Sequence, residues 1–180
     1  MAQNLFEACL ELTVAGIKEL KLMAKLSNGD PISFPIDVVL KSGGTSTIVG
    51  TIDEATQTAT IGAQTMSYVE PYVDNSSFLE ELTEDRRGKY YTHTIEFQFP
   101  KVQLYTNNQI KDFMFNDGGD FAIANAVAII KDNNDVEWIL GYDLPMVVEA
   151  FEDTTGGGDN YYTMRLVGRS YDRIRRWETI

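Results

Sequence analysis

Residues 121–168 alternate strand patterns with turn signals more regularly than any other part of the chain. In residues 121–130, large apolar side chains occupy one face and alanines occupy the other, as the two-residue period of a strand requires. Clusters of Asn, Asp, Gly and Pro separate this segment from three further expected strands, over residues 136–142, 146–152 and 161–168. The stretch therefore predicts a four-stranded antiparallel meander with one buried face and one wetter face.

Two other segments also carry strand patterns. Residues 17–26 fit both an alternating strand and a helical stripe, and the hairpin-type Asn28-Gly29 turn that follows favours the strand. Residues 91–99 place His93, Ile95 and aromatic side chains on one face, opposite threonines, Glu and Gln. The chain is therefore expected to be mainly β.

The sequence also predicts one or two short helices. Ser77 to Glu80 matches a capping box, so a helix is expected over residues 78–84. A second helix is expected after Thr106 or Asn107 and before Gly118, with a stripe formed by Ile110, Phe113 and Met114. The resulting picture is one amphipathic helix laid against a predominantly antiparallel sheet.

The length of 180 residues predicts a single domain over residues 1–180. Residues 41–66 contain a Ser/Thr/Gly-rich passage and are expected to form a polar hairpin arm that orders on a neighbouring copy, or else a mobile surface loop. Residues 169–180 are expected to form a basic tail, which either meets an acidic surface or is simply solvated.

The formal net charge is −12, from 27 acidic and 15 basic side chains. Proteins that hold nucleic acid by its phosphates rely on clustered Lys and Arg, so this charge argues against that class. Six carboxylates and no basic residue lie between residues 70 and 85, whereas five of the seven arginines fall in the last sixteen residues. The split suggests that the basic end meets an acidic surface, in the same chain or on another copy.

Catalytic and metal-binding motifs are weak throughout. His93 and Cys9 are the only residues of their types, so a zinc site of His and Cys ligands cannot be built within one chain. The three glycines at residues 156–158 lack the Lys and Ser/Thr of a phosphate-binding loop. No apolar run approaches the roughly 18 residues of a membrane span. We therefore expect no enzymatic activity, no cofactor, no metal and no membrane partner.

Several short motifs resemble the tail-tube or tail-ring structural proteins of phages that infect Bacteroidetes, including crAss-like phages. They are Ala-Gly-Ile-Lys-Glu-Leu-Lys-Leu-Met-Ala at residues 15–24, Lys-Tyr-Tyr-Thr-His-Thr-Ile-Glu-Phe at residues 89–97 and Trp-Ile-Leu-Gly-Tyr at residues 138–142. The Gly-rich run at residues 154–161 and Leu-Val-Gly at residues 166–168 add to the resemblance. Residues 27–87 have no counterpart in it.

The resemblance implies an antiparallel β-sandwich or barrel of the tail-tube type with a flanking helix. It also implies a virion protein located in the tail, which forms a closed homo-oligomeric ring, either a hexamer or a dodecamer. Such rings stack with neighbouring tail or neck ring proteins around a channel through which DNA passes without specific binding. An acidic wall suits that role because it releases no counterions from phosphates. Candidate channel or rim residues are Glu80, Glu81, Glu84, Asp85, Glu149 and Asp153. Candidate interface residues are Arg169, Arg173, Arg175, Arg176 and Trp177.

Two alternative functions stay open at the sequence level. The many tyrosines and two tryptophans are compatible with a carbohydrate-binding, lectin-like β-sandwich. Within the virion class, the sequence alone does not separate a tail-terminator or neck adaptor protein from a tube-ring protein. A hydrolase with a carboxylate cleft has no supporting residue spacing.

Overall fold

The computed structural model describes residues 16–43, 46–71, 73–86, 88–100, 125–156 and 159–180. Within these ranges the secondary structure is entirely β, which confirms the mainly β class, and no helix is present. The strands are β1 (Ile17–Leu26), β2 (Val39–Leu40), β3 (Ile48–Asp53), β4 (Thr58–Ile61), β5 (Gln64–Val69), β6 (Asp74–Asp85), β7 (Gly88–Pro100), β8 (Val127–Asp132), β9 (Glu137–Leu140), β10 (Val147–Gly156), β11 (Asp159–Ser170) and β12 (Arg175–Thr179).

Seven strands form a closed barrel in the order β12-β9-β8-β1-β5-β4-β3. The barrel closes where β12 pairs in parallel with β3, through Trp177 and Ile48 and the two following pairs. Every other pairing in the barrel is antiparallel. The short strand β2 adds to β3 outside this ring of strands.

The other four strands form a second antiparallel sheet in the order β10-β11-β7-β6. It consists of two long hairpins, β6–β7 and β10–β11, joined through β7 and β11. Because Tyr161 pairs with Pro100 and Ser170 pairs with Tyr91, the tips of the two hairpins lie at opposite ends of the sheet. The β6–β7 tip extends past the end of β11.

Two apolar clusters hold these parts together. One fills the barrel and includes Met23, Ile48, Ile61, Met66 and Trp177. The other packs the outside of β1, β8 and β9 against the second sheet; its members include Leu20, Leu22, Ile95, Phe97, Ala128, Ile130, Met164 and Leu166. Burying these apolar side chains is the main favourable term for both layers.

Strand β8 contributes to both clusters, which explains why both of its faces are apolar in the sequence. Val127 and Ile129 point into the barrel. Ala126, Ala128 and Ile130 face the second sheet. Small alanines on that side let the sheet approach the barrel closely. The expected division of residues 126–129 between two faces is confirmed, but both faces are buried, and the wetter face that was expected is absent from this described strand.

The expected four-stranded meander is wrong, because its strands divide between the two sheets. β8 pairs with β9 in the barrel, whereas β10 pairs with β11 in the second sheet. The crossing begins at Gly141, whose φ of 79° is left-handed. A Cβ there would lie 2.5 Å from the Ala126 carbonyl oxygen, so glycine permits the close approach. An isolated backbone bridge then joins Ala126, which precedes β8 of the barrel, to Met146, which precedes β10 of the second sheet.

The helix expected over residues 78–84 is also wrong, since these residues lie in β6. Residues 77–85 pair one by one with β7, and Phe78 packs on the core between barrel and sheet. The capping-box pattern is a local signal, and pairing with β7 and burial of Phe78 override it. The second expected helix, from Thr106 or Asn107 to Gly118, lies outside the described residues.

The strands expected over residues 17–26 and 91–99 are confirmed, as are the turns expected after β1 and between β8 and β9. Gly29 has a φ of 91°, and its N–H donates to the Leu26 carbonyl at 2.9 Å, which closes the turn after β1. In the turn between β8 and β9, the Asp132 carboxylate accepts hydrogen bonds from the Asn134 and Val136 N–H groups at 2.8 and 3.0 Å. Asp and Asn commonly make such bonds to nearby backbone in turns.

The polar arm expected over residues 41–66 is part of the barrel instead. It contains β3 and β4 and the start of β5, and Ile48, Ile61 and Met66 are fully buried in the barrel. The many Ser, Thr and Gly residues suggested an exposed arm, but alternate residues of each strand face outward, so polar residues there are compatible with a place in the barrel wall. The expected basic tail is likewise structured, since residues 169 and 170 end β11 and β12 closes the barrel.

Candidate functional site

The basic C-terminal end meets the acidic hairpin within the same chain. The link between β11 and β12 passes beside β6 and β7, where the Glu80 carboxylate accepts three hydrogen bonds. Arg173 Nε donates at 3.0 Å, the Ile174 N–H donates at 2.7 Å, and His93 Nε2 lies 3.0 Å away. We call Glu80, His93, Arg173 and Ile174 the Glu80 cluster. The Glu80 cluster joins the second sheet to the segment between β11 and β12, and β12 is the strand that closes the barrel.

Strand geometry explains why Glu80 is available at this point. Glu80 and His93 are direct partners in the β6–β7 ladder, on the face that packs toward the barrel. Their side chains are only 6% and 4% exposed. A buried carboxylate is unfavourable unless donors surround it, and this one has donors from a side chain of β7 and from both a side chain and the backbone of the link.

The electrostatics of the cluster favour the ionised carboxylate. Burial alone would raise the pKa of Glu80, but hydrogen bonds from His93, the Ile174 N–H and Arg173 outweigh it and lower the pKa below its ordinary value. Glu80 is therefore charged at neutral pH. Its burial corrects the expectation that it faces a channel or rim.

The other C-terminal candidates also make contacts within the chain. Arg169 lies over the ring of Tyr90 at 5.1 Å, and Arg176 lies over Trp138 at 5.5 Å. Arg175 forms an ion pair with Asp172 at 3.0 Å. These contacts favour the interpretation in which the basic end meets its partners in the same chain.

Trp177 cannot act as a surface interface residue in this fold. It is 4% exposed and packs in the barrel interior, and its Nε1 donates to Thr179 Oγ1 at 3.2 Å. A Cβ at Gly50 would overlap the Trp177 ring and the Thr60 carbonyl, so glycine makes room for the indole. The candidate interface set is therefore corrected by removing Trp177.

The remaining acidic candidates lie at two separate places, near the end of β6 and on β10. Glu81, Glu84 and Asp85 are exposed toward the end of β6, near the hairpin tip. Glu149 is exposed on β10, where Arg165 lies 3.3 Å from its carboxylate. Asp153 belongs to β10, but its side chain is outside the described part of the structure. The structure brings Glu80 together with Arg173 and does not gather the other carboxylates into one site.

A second polar cluster, which sequence reasoning missed, lies at the crossing from barrel to sheet. Asp143 Oδ2 accepts a hydrogen bond from Ser170 Oγ at 2.5 Å, and Ser170 Oγ accepts one from the Asp172 N–H at 3.1 Å. Asp143 Oδ1 and the Tyr142 hydroxyl are buried, and neither has a well-formed hydrogen bond within the described part of the chain. No local motif marks these residues, because a strand crossing brings them together.

Burial raises the pKa of Tyr142 to about 12, and the charge of the nearby Arg175 guanidinium offsets part of that rise. We expect Tyr142→Phe to raise the free energy of unfolding by about 1 kcal/mol, because it removes a buried hydroxyl that makes no well-formed hydrogen bond to the described residues. The measurement is urea denaturation at neutral pH.

The same variant has a signature at high pH. In the wild type, the unfolded state releases the Tyr142 proton before the folded state does, so stability falls as pH rises from the ordinary tyrosine pKa toward 12. The difference in stability between Tyr142→Phe and wild type should therefore widen above pH 10. A constant difference would contradict the raised pKa.

Lys21 is a second buried charge that the sequence did not single out. Its side chain is 8% exposed, with Glu70 and Glu19 at 3.6 and 3.8 Å. Its ammonium lies 5.7 Å from the centre of the Tyr68 ring, which belongs to the barrel interior. Burial, followed by the charges of Glu70 and other acidic residues, raises the pKa of Tyr68. The carboxylates of Glu19 and Glu70 therefore balance the positive charge of Lys21 in the barrel wall.

Comparison with known proteins adds no identification, since no family model, no curated protein and no solved structure matches the chain. Among the described residues, no group of three or more His, Cys, Asp or Glu side chains could hold a metal ion. The described part of the chain also contains no helix long and apolar enough to cross a membrane.

Proposed function

We propose that this chain is a virion structural protein that forms a closed homo-oligomeric ring of a phage tail or neck barrel. In this proposal, the ring stacks with other ring proteins around an acidic channel, and DNA passes through without specific binding. The sequence motifs at residues 15–24, 89–97 and 138–142 support this class of protein.

One structural observation carries the acidic-channel part of the proposal. The C-terminal arginines are engaged within the chain, whereas Glu81 and Glu84 are exposed on the long β6–β7 hairpin. Residues 74–100 of that hairpin carry six carboxylates against Arg86, Arg87 and Lys89, so the hairpin keeps a net negative charge even though Lys89 pairs with Glu84 at 3.6 Å. An anionic surface repels phosphates and offers no counterion release, which suits a conduit that must not hold DNA.

Ring formation is tested with the purified full chain. Light scattering after size exclusion, over a range of concentrations, should give one fixed copy number above the monomer, and negative-stain microscopy should show closed rings. A monomer at every concentration would reject the proposal. Open filaments would reject the closed ring while leaving head-to-tail assembly in place.

A carbohydrate-binding module is the second candidate, because Tyr171 is 77% exposed and follows β11 directly at the end near Tyr90 and Tyr91. Exposed tyrosines are common in sugar contacts and equally common in protein interfaces. A glycan array probed with the full chain separates the two functions. The ring proposal expects no glycan to bind, and saturable binding that Tyr171→Ala abolishes would favour the lectin-like module.

A further inference from the structure

Strand β6 forms one end of the second sheet, and its outer edge pairs with no other strand in the described part of the chain. Residues 77–85 keep an unbroken register with β7, without a bulge or a proline. Such an edge presents a row of backbone N–H and C=O groups to which a further strand can add.

The beginning of β6 is closed to such an addition. The register shifts between Asp74 and Ser77, and Asn75 has a φ of 42°. Ser76 Oγ accepts a hydrogen bond from the Ile17 N–H and donates one to the Ile17 carbonyl, both at 2.9 Å. Bulges and side-chain contacts of this kind block an edge. The accessible edge is therefore limited to residues 77–85.

The accessible edge exposes leucines as well as carboxylates. Leu79 and Leu82 are 49% and 59% exposed, although they lie on opposite faces of the strand. Glu81 shares the face of Leu79, and Glu84 shares the face of Leu82. Carboxylates alone would be an ordinary guard against edge-to-edge association, but a guarded edge has no need of exposed leucines.

The charge of this edge selects the partner. Glu84 pairs with Lys89 at 3.6 Å but is 69% exposed, so Glu81 and Glu84 both remain accessible to a further cation. On the opposite edge of the same sheet, β10, Glu149 pairs with Arg165 at 3.3 Å and Glu152 is exposed, so the corresponding strand of a second copy would bring carboxylates toward Glu81 and Glu84. A strand that carries Lys or Arg opposite the carboxylates and apolar side chains opposite the leucines matches both features. Pairing between such cross-strand neighbours stabilises a sheet.

We propose that residues 77–85 of β6 bind an extended basic segment of another protein, which adds antiparallel to the sheet as a fifth strand. Six consecutive residues of the partner strand would face residues 84 to 79 of β6, the first facing Glu84 and the last facing Leu79. Their side chains are expected to be, in this order, basic, polar, apolar, basic, small and apolar. This inference is independent of the proposed ring, because a single copy supplies the whole edge.

The test uses the full chain, labelled with ¹⁵N, and the end-blocked hexapeptide Lys-Thr-Val-Lys-Ser-Val. Titration followed by amide chemical shifts should give saturable changes centred on residues 77–85 and on their β7 partners. Leu79→Ser/Leu82→Ser should weaken binding by roughly tenfold, because two apolar cross-strand contacts are lost while the charge stays constant. Circular dichroism checks that the variant is folded.

Matched controls separate strand addition from general charge attraction. A scrambled peptide of the same composition, and the original peptide N-methylated at alternate residues, should bind at least about tenfold more weakly. Glu81→Gln/Glu84→Gln should weaken binding, whereas Glu152→Gln on β10 should leave it unchanged. Equal binding of all three peptides, or shifts spread over the acidic surface, would overturn the proposal. A dimer of the full chain that Leu79→Ser/Leu82→Ser dissociates would assign the edge to a second copy instead.

Discussion

Replacing Trp177 with alanine is expected to lower the free energy of unfolding by about 3–5 kcal/mol, the usual cost of removing a large buried aromatic side chain. Trp177 sits in the barrel interior at 4% exposure. It also lies on the strand that closes the barrel against β3, so its loss weakens both the core and the closure. Urea denaturation followed by far-ultraviolet circular dichroism measures the change.

The neighbouring residue on β12 provides the control. Glu178 is 44% exposed and pairs with Lys41, which is 47% exposed. Glu178→Ala should therefore cost no more than about 1 kcal/mol, as is usual for exposed ion pairs. Gly50→Ala should resemble Trp177→Ala in direction, because the added Cβ displaces the same indole. A loss below about 1 kcal/mol for Trp177→Ala would mean that β12 does not close the barrel.

Replacing Glu80 with glutamine is expected to cost about 1–3 kcal/mol, the usual penalty when buried hydrogen-bonding groups lose their partner. The Arg173 side chain is 42% exposed, so water compensates part of its lost ion pair. The amide keeps one acceptor oxygen but turns an NH₂ group toward the donors His93, Arg173 and Ile174. Glu81→Gln is the matched control, since Glu81 is the exposed neighbour on the same strand and should change stability by less than about 0.5 kcal/mol.

The effect of Glu80 depends on pH in a defined direction. Its pKa is lower in the folded state than in the unfolded state, so its stabilisation is fully present above the ordinary carboxylate pKa. That stabilisation is lost as pH falls through the folded-state pKa. The difference between wild type and Glu80→Gln should therefore shrink on acidification. A difference that stays constant down to acidic pH would contradict the role assigned to the charge.

Local patterns predicted the strands better than they predicted the helices. In β7, the alternation that buries His93, Ile95 and Phe97 is visible in the sequence and confirmed. In β6, the Ser77–Glu80 capping pattern indicated a helix, but residues 77–85 pair throughout with β7. A capping box reports only a few neighbouring residues, whereas a strand is stabilised by a partner elsewhere in the chain.

The candidate site was predicted only in outline. The uneven distribution of carboxylates and arginines indicated that the basic end meets an acidic surface, and Arg173 does meet Glu80. Which of the six carboxylates it meets could not be read from the sequence, because exposure depends on what packs over each strand face. Glu80 and Glu81 are adjacent in sequence, yet one is buried beside the link and the other is exposed.

The sequence by itself determined that this chain is mainly β, where the turns at Gly29 and Asp132 fall, and which side chains share a strand face. These properties depend on backbone preferences and on the two-residue period, which act within a few residues. The tertiary structure alone decided that β9 and β10 separate into different sheets and that both faces of β8 are buried. It alone placed the last strand beside Ile48 to close the barrel. Strand pairing is a long-range choice, because the same alternating pattern fits many partners until burial selects one.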